Sequence, residues 1–301
     1  MAARASESKE EEEEFVIRRS QKAEETPYWQ PNVAKVLQPS TREFFQRYAQ
    51  IPPAEIEPHI REIQKRAWEV APFPSVGAMT WLNPFCSLLP QYEPILNRVR
   101  AGASILDCAC MVAPDLRKLA YDGAPTGEMY GFDVESEFFD IGFDLYKDRA
   151  TWRGKFFPAD ALRPFQETEL GTLVGKLDIV WCAKFIHIFD REGQIEMMVK
   201  LVSLLKPEKG SLFVGSQNGF PGGMTVPVAD DQKFVGMSGE IFLGDTGDME
   251  EMWAEVARRT GTQWELEATF LDMRTIGLHE DDGSPYKKRT GYNLQWVATM
   301  K

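Results

Sequence analysis

Short apolar runs alternating with helical periods set the pattern of this chain from residue 104 onward. The runs Ser104 to Asp107, Met129 to Val134, Lys155 to Phe157, Leu177 to Cys182 and Ser211 to Gly215 have strand length. Between them, Pro114 to Tyr121, Ser136 to Lys147 and Arg191 to Leu205 read as helices. In the last of these, Asp190 is the expected N-cap, and Ile195, Met198, Val199, Val202 and Leu205 share one face. Leu177 to Cys182 is apolar without alternation, as in a strand covered on both faces of a parallel sheet. After a helix from Met249 to Arg259, the stretches Trp264 to Thr275 and Asn293 to Met300 read as strands flanking a polar turn, His279 to Arg289. The pattern predicts an α/β fold, a mostly parallel sheet with an antiparallel edge hairpin.

The first hundred residues lack this alternation. Residues 1–26 hold the acidic run Glu10 to Glu14 and little that could be buried, and are expected to form a disordered tail. Residues 27–102 are expected to form a helical cap, and residues 103–301 the sheet domain. Ser40 and Glu43 have capping-box spacing ahead of Phe44, Phe45 and Tyr48, and Pro52 and Pro53 close that helix. Ile56, Ile60, Ile63 and Trp68 mark the apolar face of a second. Residues 71–90 are too rich in proline and aromatics for regular structure, and Gln91 to Arg100 is expected to be a short helix. Phe73, Trp81 and Phe85 are read as lining a substrate pocket or filling core. The long segment from Ser216 to Asp248 has many glycines and no period, the character of a lid or partner-binding loop.

Composition narrows the partners. A net charge of −12 opposes contact with phosphate backbones, so a small molecule is expected rather than nucleic acid. No run of about 18 apolar residues is present to span a membrane. The polar, acidic N-terminus lacks the apolar core of an export signal. The four cysteines sit in apolar segments without CxxC spacing and are read as reduced core thiols of a cytosolic protein.

Chemistry concentrates at the strand ends. The segment SILDCACMVAPD, from Ser104 to Asp115, has the order strand, tight turn, helix that opens a nucleotide-binding sheet. Such a turn ordinarily uses glycine for its sharp bend and close ligand approach, yet here Ala109, Met111 and Ala113 occupy it. Asp107, Asp133 and Asp160 each stand where a strand runs out, and ligands of open α/β sheets bind beyond the carboxyl ends of strands. Asp133 lies 26 residues beyond Asp107, near the spacing at which an acid takes the hydroxyls of a ribose. Asp160, followed by Ala161, could accept from an adenine amino group; helix capping and solvation at loop starts are the plainer alternative for these acids. No metal site is expected.

These segments, together with YGFDVESEFFDIGFDLYKD, FFPADAL, LDIVWCAKFIHIFDREGQ and LLKPEKGSLFVGSQNG, resemble the class I S-adenosylmethionine-dependent methyltransferases. Within that class the resemblance is to fungal enzymes that tailor meroterpenoids and polyketides, and it runs from about Thr41 to the C-terminus. It implies a Rossmann-like seven-stranded sheet, an N-terminal helical cap and homodimers. It further implies S-adenosylmethionine contacts around Asp107, Asp133, Val134, Asp160 and Ala161. The chain departs from the family at Ala109 and Ala113, where family members keep glycine, and at Pro114, where they keep a polar residue. If those positions need φ > 0, each alanine strains the backbone by about 1 kcal/mol and its methyl enters the ligand volume.

The function expected is methyl transfer to a carboxyl or hydroxyl oxygen of a small molecule. His187, just past the fourth strand, is the candidate base, with a packed or capping histidine as the plainer alternative, and Lys184 could hold an anionic substrate or be solvated. A cyclase, pericyclase or isomerase on the same fold is the alternative, with His187, Lys184, Gln217 or Asn218 as hydrogen-bond donors; a non-catalytic subunit is a third. Trp81, Phe85, Gln217 and Asn218 complete the expected substrate pocket.

Overall fold

The computed structural model describes residues 23–26, 29–228, 239–278 and 291–301. Helices α1 (Pro39–Arg47), α2 (Ile56–Val70) and the single turn α3 (Pro74–Gly77) lead to α4 (Tyr92–Arg100). The alternating region follows as β1 (Ile105–Cys108), α5 (Pro114–Tyr121), β2 (Met129–Asp133), α6 (Glu137–Tyr146), β3 (Lys155–Pro158), β4 (Ile179–Ala183) and α7 (Arg191–Val202). It continues with β5 (Leu212–Asn218), a hairpin of β6 (Met224–Pro227) and β7 (Glu240–Leu243), α8 (Thr246–Thr260), β8 (Trp264–Asp272) and β9 (Tyr292–Met300).

Seven strands form one sheet in the order β3-β2-β1-β4-β5-β9-β8. The five strands from β3 to β5 run parallel, because each connection crosses back over a face; β9 enters antiparallel to β5, and β8 to β9. The order reverses between β1 and β4, and at that switch the carboxyl ends of the strands open a crevice. Side chains of α7 and α8 cover one face, with Ile195, Met198, Met252 and Trp253 buried. On the other face, α4 and α5 contribute Ile95, Leu96, Leu116 and Leu119. The cap core of Phe44, Phe45, Ile56, Ile60 and Trp68 packs on α6 through Phe138, Ile141 and Tyr146.

Local signals locate most elements. The Asp190 carboxylate accepts from Gly193 N at 2.7 Å and starts α7 as expected. Ser40 does not cap α1: Pro39 begins the helix after Gln38, a position where its missing N–H costs nothing. The capping box lies instead at α8, where Asp245 and Asp248 exchange side-chain bonds with each other's backbone. Residues 71–90 hold α3 and two 3₁₀ turns, Thr80–Leu82 and Cys86–Leu88. The glycine-rich segment after Ser216 extends β5 and then forms the β6-β7 hairpin, which docks on the loop after β4 through Phe242 N and Phe189 O at 3.1 Å. Most of the acidic tail and the turn His279 to Arg289 lie outside the described residues. Among those described, no helix is long and apolar enough to cross a membrane.

Candidate active site

The turn after β1 keeps a glycine backbone without its glycines. Ala109, Met111 and Ala113 have φ of 49°, 50° and 46°. L-residues in this left-handed region carry a cost of about 1–2 kcal/mol each, so the surroundings must hold the turn in place. They do so with hydrogen bonds. Cys110 N donates to Phe132 O at 2.8 Å, and Met111 N donates to the Asp133 carboxylate at 2.9 Å. Arg117, one turn into α5 and fully buried, donates from Nη1 to Val112 O at 2.8 Å. Its other nitrogens meet Asp148, Nε at 2.9 Å, and the Tyr146 and Trp152 rings lie 4.8 and 5.1 Å from the guanidinium. The bulk added to the turn is matched by glycine behind it: a Cβ on Gly131 would stand 2.8 Å from Cys110 Sγ. Asp115 ties the cap to the turn by accepting from Cys86 N at 2.8 Å and Trp181 Nε1 at 3.0 Å.

At the end of β1, the Asp107 side chain is buried, and its carboxyl makes no hydrogen bond with a described residue. Burial pushes its carboxyl well above the usual range, and Asp115, Cys182 and Asp133 add to the effect. Such an acid is stabilised by an incoming cation. Burial also pushes Asp133 up to about 6. Its two oxygens accept from Met111 N and Glu135 N, leaving lone pairs for a diol. Asp160 accepts from Leu162 N at 2.8 Å in a local turn, and Ala161 is buried, its carbonyl taken by Lys200. Among the described residues, Val134 and Leu162 are the large apolar side chains left exposed, at 60% and 46%. They follow the ends of the neighbouring strands β2 and β3 and leave apolar surface for a flat ring. An unpaired acid, a diol acceptor and two uncovered apolar side chains fit S-adenosylmethionine, whose ammonium, ribose and adenine need these groups. Of the turn residues, Met111 is half-buried against the cap core and Ala113 is buried in the core.

Beyond the end of β4, a second polar group is built around Lys184, which has φ of 53°. Its Nζ donates to Asn218 Oδ1 at 2.8 Å and Asn293 Oδ1 at 2.7 Å, and lies 4.7 Å from the centre of the Phe85 ring. Burial pushes the amine down to about 7. His187 contacts Asn218 Nδ2 through Nε2 at 3.4 Å, while its Nδ1 is shielded without a partner. Burial, with the Lys184 charge as a second cause, pushes the imidazole down to about 3, which makes it a weak base.

The structure thus brings Lys184, His187, Asn218 and Phe85 together and separates the other two expected pocket residues. Trp81 is buried in the cap core. Gln217 points to the opposite face of the sheet from Asn218, as strand alternation requires, and donates to Gln194 Oε1 on α7 at 3.2 Å. Asn293, Ser216, Arg117 and Asp115 escaped the sequence reading. For Asn293 the missing signal is register: it stands directly across from Asn218 only because β9 pairs antiparallel with β5.

Parallel strands with a reversed order at β1 and β4, acids at the strand ends and an antiparallel last pair define the class I S-adenosylmethionine-dependent methyltransferase fold. Comparison with known proteins narrows this further. Residues 28–82 match the family described as meroterpenoid methyltransferase N-terminal domain. The chain is 36% identical over 242 residues to the O-methyltransferase atr3 of Stereocaulon alpinum, covering 80% of this chain and 68% of that one. It is 30% identical to the methyltransferase adrK of Penicillium roqueforti, covering 83% and 87% respectively. With the asnovolin E/chermesin D methyltransferase nvfJ of Aspergillus novofumigatus it shares 32% identity over 58% of this chain and 62% of that one. The chain belongs to this family of fungal methyltransferases.

Proposed function

We propose that this protein transfers a methyl group from S-adenosylmethionine to an anionic oxygen, carboxylate or phenolate, of a small polyketide- or terpenoid-type molecule. The observation that carries the proposal is Lys184: an ammonium in a shielded site, held by two neutral amides and facing no carboxylate among the described residues. A buried cation without a counter-ion is stabilised by an anion, and the acceptor is the group that can supply one. The names of the relatives support the substrate class, since atr3 is an O-methyltransferase and nvfJ acts on asnovolin E and chermesin D.

Asp107 would take the cofactor's ammonium, Asp133 its ribose, and Val134 and Leu162 its adenine, with Asp160 and Ala161 closing that end. Bound there, the cofactor supplies an electrophilic methyl group. Lys184 draws the acceptor oxygen to the carboxyl end of β4, next to β1 and its turn. An anionic oxygen needs no base, consistent with the depressed basicity of His187. Phe85, from residues 27–102 that form the cap, covers the amine and excludes water. The cyclase alternative is not favoured, because a cofactor-free cyclase has no use for Asp107, Asp133 or the uncovered Val134 and Leu162.

The test is the pH profile of kcat/KM with carboxylic and phenolic acceptors, with methylated product followed by mass. Lys184 must be charged to hold the anion, so with a carboxylate acceptor kcat/KM is expected to be high below pH 7 and to fall as pH rises through about 7. A rate that rises through the same range means that the neutral amine removes a proton from a hydroxyl acceptor, which contradicts the anionic assignment.

A further inference from the structure

Lys184 is held by two matched arms, one on each side. On one, Asn293 accepts from Nζ through Oδ1 and donates from Nδ2 to Ser216 Oγ at 2.7 Å. On the other, Asn218 accepts from Nζ through Oδ1 and turns Nδ2 to His187 Nε2 at 3.4 Å. The protonated Lys184 amine has three donors and no lone pair, so each carboxamide must aim its oxygen at Nζ and its NH₂ away. Each NH₂ then meets an acceptor that holds it there. On the Asn218 arm this requires an unprotonated Nε2, so the neutral His187 carries its proton on Nδ1. Asn293 and Ser216 are fully buried, so water does not compete for these bonds.

We propose that Asn293 and Asn218, locked from behind by Ser216 and His187, are positioning residues that fix two of the three non-carbon positions on Lys184 Nζ and leave one for the acceptor oxygen. The proposal rests on the acceptor role given to Lys184 above. It assigns His187 a supporting place behind Asn218. It also explains why the site uses amides: a carboxylate in either place would neutralise the ammonium and compete with the acceptor. Around Lys184, the loop after β4 presents His187 as the titratable neighbour, β5 and β9 present asparagine, and the cap presents the Phe85 ring. The amine therefore titrates low because of burial, with no carboxylate to counter it.

The experiment measures the pH dependence of Lys184 acetylation by acetic anhydride, read by peptide mass spectrometry, in the wild-type protein, Asn293→Asp and Asn218→Asp. The wild-type amine is expected to titrate near 7, and each aspartate is expected to raise that midpoint by about one to three pH units. The falling limb of kcat/KM moves up with it. A purely structural role for the asparagines would lower stability and leave the midpoint in place. A wild-type Lys184 that titrates near an ordinary lysine's ~10.4, or a midpoint unmoved in both variants, overturns the proposal. Labelling needs no turnover, so a shifted midpoint without methyl transfer supports the two-armed hold and rejects the acceptor role alone. Two variants guard against one failing to fold.

Discussion

Replacing Lys184 with methionine is expected to lower kcat/KM for the acceptor by about 30-fold to several thousand-fold while raising the melting temperature. The first effect follows from removing one partner of a shielded, hydrogen-bonded charge pair, which costs about 2–5 kcal/mol. The second follows from the free protein, where the ammonium is desolvated with no counter-ion and methionine fills a similar volume without charge. Stability should also change its pH dependence. The folded amine titrates near 7, below an unfolded lysine, so between about pH 7 and 10 the unfolded chain binds more protons and stability rises with pH. Lys184→Met should remove that rise. Kinetics with an acceptor series and thermal melts across this pH range check both parts. Activity and stability falling together would show that Lys184 is a structural residue.

Replacing Arg117 with methionine is expected to destabilise the protein by about 3–5 kcal/mol, because Asp148 is left buried and charged. That is a large part of the ~5–15 kcal/mol by which domains are stable. The double variant Arg117→Met with Asp148→Leu should be more stable than Arg117→Met alone, since replacing a whole buried pair costs far less than breaking it. Urea denaturation of the single and double variants decides this. Both should still weaken cofactor binding, because both release the Val112 carbonyl and with it the left-handed turn that Arg117 holds. A double variant as unstable as the single one would mean that the four-ring surround of Phe143, Tyr146, Trp152 and Phe156, rather than the ion pair, dominates the site.

Much of the fold was legible because it is written locally. Helix α5 falls on its expected span, Pro114 to Tyr121, because Pro114 pre-sets its first turn and Leu116 and Leu119 face the sheet. The strands β1 to β5 lie within two residues of their apolar runs at the N-terminal end, since unbroken apolar character marks a strand covered on both faces. The cap's start and the β6-β7 hairpin were less visible. A proline at the first helical position outcompeted the Ser40 spacing, and the hairpin depends on docking against Phe189 and Gln194 more than on its own period.

The candidate site's residues could be placed from the sequence at the strand ends and were obscure wherever a partner came from afar. Asp107 and Asp133 could be placed because strand order alone sets them in neighbouring positions, Asp107 opposite Gly131 and Asp133 two residues on. Lys184 and Asn218 were named just beyond the ends of the fourth and fifth apolar runs. Asn293, 109 residues beyond Lys184, becomes part of the site only through the β5-β9 register. Gln217 illustrates the converse, since adjacent strand residues face opposite sides and its neighbour Asn218 takes the pocket.

The central claim is that the turn after β1 still holds S-adenosylmethionine although alanine and methionine occupy its left-handed positions. Calorimetric titration of the wild-type protein and Ala109→Gly/Ala113→Gly with S-adenosylmethionine tests it directly. Saturable micromolar binding by the wild type is expected, within about tenfold, or 1.4 kcal/mol, of the double variant. Binding by the glycine variant with no heat from the folded wild type at millimolar cofactor would contradict the claim and show that these side chains close the site.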